Sequence, residues 1–184
     1  MGSTGMYRTK GQTNREFFTA ECLHTQHQEV LADVTRRIPG RGGEWSNVYY
    51  AAVRDNRTAE VFGLIVLFTR VPNPYADINI YYKALHENSG TTAEGVTQEI
   101  IDLLTPTEHE FALKWRQDAL ASIARDNAKP KVKRGDQVKF PHKMRFTNGA
   151  EGDTFTFERG SIFTAIDGSR VHIPSWRMLA FALA

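Results

Sequence analysis

Apolar residues along this chain fall first into mixed helical and strand spacings, then into a long helical stripe, and finally into short strands. Thr13-Asn14-Arg15-Glu16 has the form of a capping box: the Thr hydroxyl can accept the backbone N–H three residues on, and Glu16 can reach back. With Phe17, Phe18 and Cys22 behind it, this predicts a helix over about Asn14–Thr25 that buries the phenylalanines. Gly2–Gly11 has no periodicity and reads as a loop or a partly extended arm. Val30–Ile38 and Val48–Arg54 read as strands separated by Pro39-Gly40-Arg41-Gly42-Gly43, the clearest loop sequence in the chain. Asp55-Asn56-Arg57-Thr58 carries turn chemistry and joins Val48–Arg54 to Glu60–Arg70 as a β-hairpin. The second of these strands, VFGLIVLF, lacks polar alternation, which belongs to a strand covered on both faces. Val71-Pro72-Asn73-Pro74 ends it, and Asp77–Lys83 follows as one more short strand or an extended loop.

Val96, Ile100, Ile101, Leu103 and Leu104 sit at helical spacing. Thr105-Pro106-Thr107-Glu108 is a second capping-box sequence, with Pro at the first helical position, where a missing N–H costs nothing. Phe111, Trp115, Ala119 and Ile123 then recur every four residues, and a helix over about Pro106–Asp126 is predicted. After the polar seam Arg125–Arg134 the pattern shortens. Gln137–Phe140, Met144–Thr147, Asp153–Arg159, Ser161–Ile166 and Arg170–Ile173 alternate with turns, among them Asn148-Gly149 and Asp167-Gly168. Five such strands predict a small SH3-like barrel, with Trp176 and Phe181 closing its core or docking on the first domain. The fold expected is therefore α+β. A three- or four-stranded antiparallel sheet covered by helices occupies 1–128, and an SH3-like β-barrel occupies 129–184. There is no internal repeat and no heptad pattern.

Composition narrows the class. The 184 residues are 41% hydrophobic and 24% charged, which excludes a disordered or collagen-like chain. The longest apolar run, Val61–Phe68, is far short of the roughly twenty residues of a membrane helix, so no membrane partner is expected. The first thirty residues have no apolar signal-peptide core. A single cysteine, Cys22, has no partner for an intrachain disulfide, as expected in a reducing cytoplasm. The formal charge of +2 hides an asymmetry. Residues 129–184 hold ten Lys/Arg against five Asp/Glu, whereas residues 1–128 hold thirteen against sixteen.

That asymmetry is the main chemical lead. Lys129, Lys131, Lys133 and Arg134 crowd the seam, and Lys139 and Arg145 extend the run into the predicted barrel. Phosphate contacts need only such point charges, and they give salt-dependent affinity without sequence reading. A solubilising linker is the plain alternative. Other candidates are thinner. Cys22, His24 and His27 have zinc-ligand chemistry, but on a helix 24 and 27 share a face from which 22 points away. Cys22 with a histidine is a possible nucleophilic pair, though a Cys behind two phenylalanines reads as a small buried hydrophobe. His86-Glu87 near Glu94, and His109-Glu110 near Asp102, are the other acid–base combinations, and nothing in the sequence holds either in a cleft. Tyr81-Tyr82-Lys83 could stack bases beside a cation, but Tyr is also ordinary in strands. No phosphate-loop, dinucleotide, nucleophile-elbow or zincin motif is present. No catalytic residue, metal site or cofactor is expected.

Several short blocks together resemble a family of short, uncharacterised proteins of bacteriophages, prophages and plasmids. They are Lys10-Gly11-Gln12-Thr13 with Glu16-Phe17-Phe18, Leu103-Leu104-Thr105-Pro106, Trp115-Arg116, Gly135-Asp136-Gln137-Val138-Lys139-Phe140, Arg145-Phe146-Thr147-Asn148-Gly149 and Asp153-Thr154-Phe155. The chain departs from that pattern at Ser3, where the family has Trp, and over Ala84–Thr92. The resemblance implies a mobile-element origin and a bacterial host cytoplasm, and it brings no activity. The expected function is a non-enzymatic accessory protein whose basic C-terminal part contacts nucleic acid. The alternative is a protein-binding module that inhibits or redirects a host factor such as a defence system.

Overall fold

The structure, a computed structural model, describes residues 4–9, 11–38, 45–73, 76–174 and 176–184. The chain divides into two compact units, Met1–Ile123 and Ala124–Ala184. The loop expected at Pro39–Gly43 lies outside the described residues.

The first unit is built on a five-stranded antiparallel sheet in the order β1-β5-β4-β3-β2. Its strands are β1 (Thr4–Arg8), β2 (Gln28–Arg37), β3 (Asn47–Asp55), β4 (Glu60–Asn73) and β5 (Ala76–His86). One of them exceeds the sequence expectation of three or four strands. Thr4–Arg8, read as part of a loop or a partly extended arm, is extended and pairs with Ile78–Tyr82 of β5. The uncertain stretch Asp77–Lys83 becomes part of an eleven-residue strand, because it gains a partner on each side. Pro72 does not end β4. The strand runs on to Asn73 through a register shift between Val71 and Asn73, a bulge of the kind that admits a residue without an N–H.

The unalternating run in β4 buries both of its faces. On one, Leu64, Val66 and Phe68 pack with Tyr49, Ala51 and Val53 of β3 and with Phe17 and Phe18. Those phenylalanines come from α1 (Asn14–Cys22), whose capping box at Thr13 and Glu16 forms as read. On the other face, Val61 and Ile65 pack with Tyr50, with Ile100 of α2 (Gln98–Leu103), and with Trp115 and Ala119 of α3 (Glu110–Ala128).

Helix α3 begins four residues later than Thr105-Pro106-Thr107-Glu108 predicts. Thr105 is diverted to β4: its backbone N–H and its hydroxyl both donate to the Val61 carbonyl, at 3.0 and 3.1 Å. The buried stripe shifts as well, to Ala112, Trp115, Ala119 and Ser122, leaving Phe111 54% exposed.

The second unit carries an antiparallel sheet of order β10-β6-β7-β8-β9. Its strands are β6 (Gln137–Arg145), β7 (Glu151–Arg159), β8 (Ile162–Thr164), β9 (Arg170–His172) and β10 (Ala182–Leu183). Gln137–Phe140 and Met144–Thr147 are thus one irregular strand, and the fifth strand is the C-terminal Ala182–Leu183, too short to show in the sequence. The expected barrel is not closed, since no pairing joins β9 to β10 among the described residues. Val138, Phe140, Phe155, Phe157, Phe163, Val171 and Trp176 form the core. Of the two roles foreseen for Trp176, core closure is the one observed: the ring packs on Phe157, Phe163 and Phe181, and its indole N–H donates to the Gly160 carbonyl at 2.8 Å.

Candidate functional site

The basic segment enters the second unit through a tight turn. Gly135, at φ +93, donates its backbone N–H to the Phe157 carbonyl, and Phe157 N–H returns to Asp136. The Asp136 carboxylate accepts from the backbone N–H of Lys133 at 2.7 Å, so the acid fixes the turn and leaves the Lys133 ammonium alone. Val132 packs against the core, which turns Lys131 and Lys133 outward on either side of it. Alternation in β6 buries Val138 and Phe140 and exposes Lys139, which lies opposite Thr154 of β7 and Ala182 of β10.

The six predicted cations therefore separate into two groups. Lys131, Lys133, Arg134 and Lys139 are exposed and form no ion pair with a carboxylate among the described residues. Lys129 and Arg145 are occupied. The Lys129 ammonium donates to Asp126 Oδ1 at 2.8 Å and to the Arg177 carbonyl at 2.6 Å. The Arg145 guanidinium donates from two nitrogens to Glu151 Oε2, at 2.9 and 2.8 Å, and this contact holds the Glu151 carboxyl below its ordinary range. Arg145 also stands at the far end of β6 from the entry turn.

One cation outside the predicted set shares the outward face. Gln137, Thr156, Thr164 and Arg170 are register partners across β6, β7, β8 and β9, so their side chains form one row. The Arg170 guanidinium lies 3.4 Å from Glu158, which also accepts from the Thr164 hydroxyl at 2.5 Å. The strand expected at Arg170–Ile173 was the available signal, and the exposed–buried–exposed pattern of Arg170-Val171-His172 follows from it.

In the first unit the remaining candidates acquire structural roles. Cys22 packs beside the α1 phenylalanines, and burial together with the Glu21 charge pushes its thiol up to about 12, so it carries essentially no thiolate at neutral pH. His24 and His27 stack at 5.4 Å, with His27 3.8 Å from Asp55. Asp55 is itself engaged by the Arg57 side chain and backbone, which hold its carboxyl far below the ordinary range. No group of three or more His, Cys, Asp or Glu arranged to hold a metal occurs among the described residues. Tyr82 is part of the α1 core and donates to Glu21, leaving only Tyr81 and Lys83 of that trio exposed.

Glu87 is the most buried acid, 2% exposed, and its two oxygens accept from Arg116 of α3 at 2.7 and 2.8 Å. His86 stacks on Phe62 at 4.6 Å, and burial lowers its pKa. Its electrostatic neighbours are Glu87, Glu60, His109 and Arg116. His109, distant in the sequence, thus acts on His86 through its charge.

A family model described as "Domain of unknown function (DUF6927)" matches residues 106–176. The match is to a family without an assigned function. It takes in α3 and β6 to β9, with the Trp115-Arg116, Gly135–Phe140, Arg145–Gly149 and Asp153–Phe155 blocks. No curated protein and no solved structure matched the chain. No helix among the described residues is long and apolar enough to cross a membrane.

Proposed function

We propose that this chain is a non-enzymatic accessory protein of a phage or other mobile element, acting in the bacterial cytoplasm, and that its basic C-terminal domain, 129–184, contacts nucleic acid. The observation that supports the reading is the run of exposed cations with no ion pair to a carboxylate among the described residues: Lys131, Lys133 and Arg134 at the entry turn, with Arg134 near enough for its charge to act on Glu158, then Lys139 on the outward face of β6. Lys129 and Arg145 leave the set, because each already has an acidic partner. Four such charges act through phosphate neutralisation and counterion release, so binding is salt-dependent and insensitive to sequence. The strand order, with the last strand beside the first and a 3-10 turn at Trp176–Met178 before it, supports the SH3-like description of this domain. The mobile-element origin and cytoplasmic location rest on the sequence resemblance.

In the direct test, fluorescently labelled duplex DNA and single-stranded RNA are titrated with the full chain at low salt. The expected result is affinity that falls steeply with added salt, and that drops at least tenfold in a Lys131→Ala/Lys133→Ala/Arg134→Ala variant. Lys129→Ala and Arg145→Ala are expected to change it little. Absence of binding by the unaltered protein at low salt ends this reading.

A different class of function has its own support. Ile166, at the tip of the β8–β9 hairpin, is 99% exposed, and Leu179 and Leu183 are 40% and 45% exposed in the same unit. Apolar side chains presented in this way suit a protein partner such as a host defence factor, and fold alone does not choose between the two. Loss of a host-lysate partner in Ile166→Asp, with nucleic-acid affinity unchanged, would favour the protein-binding reading.

A further inference from the structure

Arg8 and Arg70 form an arrangement in the first unit that the nucleic-acid reading does not use. The two side chains leave the sheet on the face that carries α1. Arg70 is the register partner of Ile80 and Arg8 of Ile78, two residues apart on β5, so the two arginines stand on one face of the sheet. Both guanidiniums donate to a single oxygen, Oδ1 of Asn14 in the first turn of α1, at 2.6 Å from Arg8 and 2.9 Å from Arg70. The other end of that amide is fixed, since Asn14 Nδ2 donates to the Thr35 hydroxyl at 2.8 Å.

A neutral oxygen therefore sits where two cations would ordinarily gather around a carboxylate. Neither arginine forms an ion pair with an acid among the described residues. Glu16, whose charge acts on Arg8, does not pair with it directly and accepts from the backbone N–H and hydroxyl of Thr13 through Oε2. Asp33 on β2 is taken by Arg15. Arg8 is partly buried, and this burial together with the Arg70 charge weakens its hold on its proton. Two like charges this close, with part of their hydration removed, repel, and an anion placed between them relieves the repulsion.

We propose that Arg8 and Arg70 form a binding site for a phosphate dianion, free or carried as a monoester on a small molecule, with Asn14 holding the two guanidiniums in place. Two fixed positive charges match a doubly charged group, and the planar guanidinium fork matches pairs of phosphate oxygens. A phosphodiester carries one charge per group and gains less from the pair. The positive end of α1 adds to the attraction. The site is built from residues of the first unit and does not depend on the role of the second unit's cations.

The test uses the full chain at pH 8, with inorganic phosphate and glycerol 3-phosphate as probes and chloride at matched ionic strength as the reference. Thermal shift and titration calorimetry are read together. The expected result is a rise in Tm specific to phosphate and a single calorimetric site. Binding of inorganic phosphate alone assigns the free ion, and binding of both probes assigns the monoester group. Arg8→Gln/Arg70→Gln is expected to weaken binding at least tenfold. Asn14→Asp keeps both arginines and supplies the missing carboxylate, so it should raise Tm in phosphate-free buffer while abolishing the phosphate response. No phosphate-specific shift in the unaltered protein, or an unchanged shift in both variants, overturns the proposal.

Discussion

Single residues carry much of the first unit's specificity at the junction of β4, β5 and α3. Glu87 and Arg116 form an ion pair whose side chains are only 3% and 15% exposed, and Arg116 also caps the Thr105 carbonyl at 2.6 Å. Removing one partner strands the other charge away from water, so Glu87→Ala is expected to cost about 3 kcal/mol in a urea unfolding measurement. Gly63 faces the same junction. A Cβ there would meet the Glu87 Cβ at 3.1 Å and the Trp115 ring at 3.3 Å, and both neighbours are pinned. Gly63→Ala should therefore destabilise by about 1–3 kcal/mol through overpacking, although alanine suits a strand no worse than glycine does. His86 supplies the pH dependence. Its folded pKa lies below the ordinary value because burial disfavours the charged ring. The unfolded chain thus takes up a proton first as pH falls, and the stability present above the unfolded pKa, about 6.5, declines on acidification. His86→Phe keeps the stack on Phe62 and is expected to flatten the stability profile between pH 7 and 5. Cys22 adds a chemical readout: with its thiol pushed to about 12, alkylation by iodoacetamide at pH 8 should be slow in the native protein and should accelerate sharply in urea.

At the scale of elements, local signals succeeded where the chain itself supplies the partner. The α1 capping box needs only Thr13 and Glu16, and it forms with the Thr13 hydroxyl accepting from Glu16 N–H at 3.2 Å and Glu16 accepting from Thr13 N–H at 2.7 Å. Thr13→Ala is expected to cost about 0.5–2 kcal/mol, read by thermal melting. The similar box at Thr105 did not form, because its hydroxyl accepts from the Val61 N–H on β4 and donates to the Val61 carbonyl. Strand extents failed for a related reason. β1 and β5 have weak strand patterns of their own and become strands by pairing with each other, β5 pairing on its other side with β4. The neighbours that the acid–base and metal-like candidates acquire were not legible in the sequence. The charge of His109 acts on His86 from 23 positions away, and Asp55, which takes Arg57 within its own turn, approaches His27 only once the β2–β3 pairing exists.

For the molecule as a whole, the second unit contains its own core. Phe140, Phe155, Phe157, Phe163 and Trp176 pack in one cluster drawn from this unit's own residues. A fragment of residues 124–184 is expected to melt cooperatively, with blue-shifted emission from Trp176, its single tryptophan, moving red on unfolding. Emission already red in buffer would show that this core is insufficient alone. Charge also belongs at this scale. The excess of Lys and Arg in the last third was plain from composition, but which of them remain available was decided by Asp126 and Glu151, which occupy Lys129 and Arg145.

By itself the sequence determined the class of fold, the doubly buried strand at Val61–Phe68, the turn at Asp55–Thr58, the α1 cap and the basic character of the C-terminal part. Each of these follows from the period, turn chemistry or charge of neighbouring residues. Only the tertiary structure decided that β1 closes the first sheet's edge, that β10 joins β6, that the second sheet stays open, and that Arg8 and Arg70 converge on Asn14. Those outcomes depend on hydrogen bonds and charges brought together from distant positions. A strand edge or an ion pair has no partner to show until the chain between its two halves has folded.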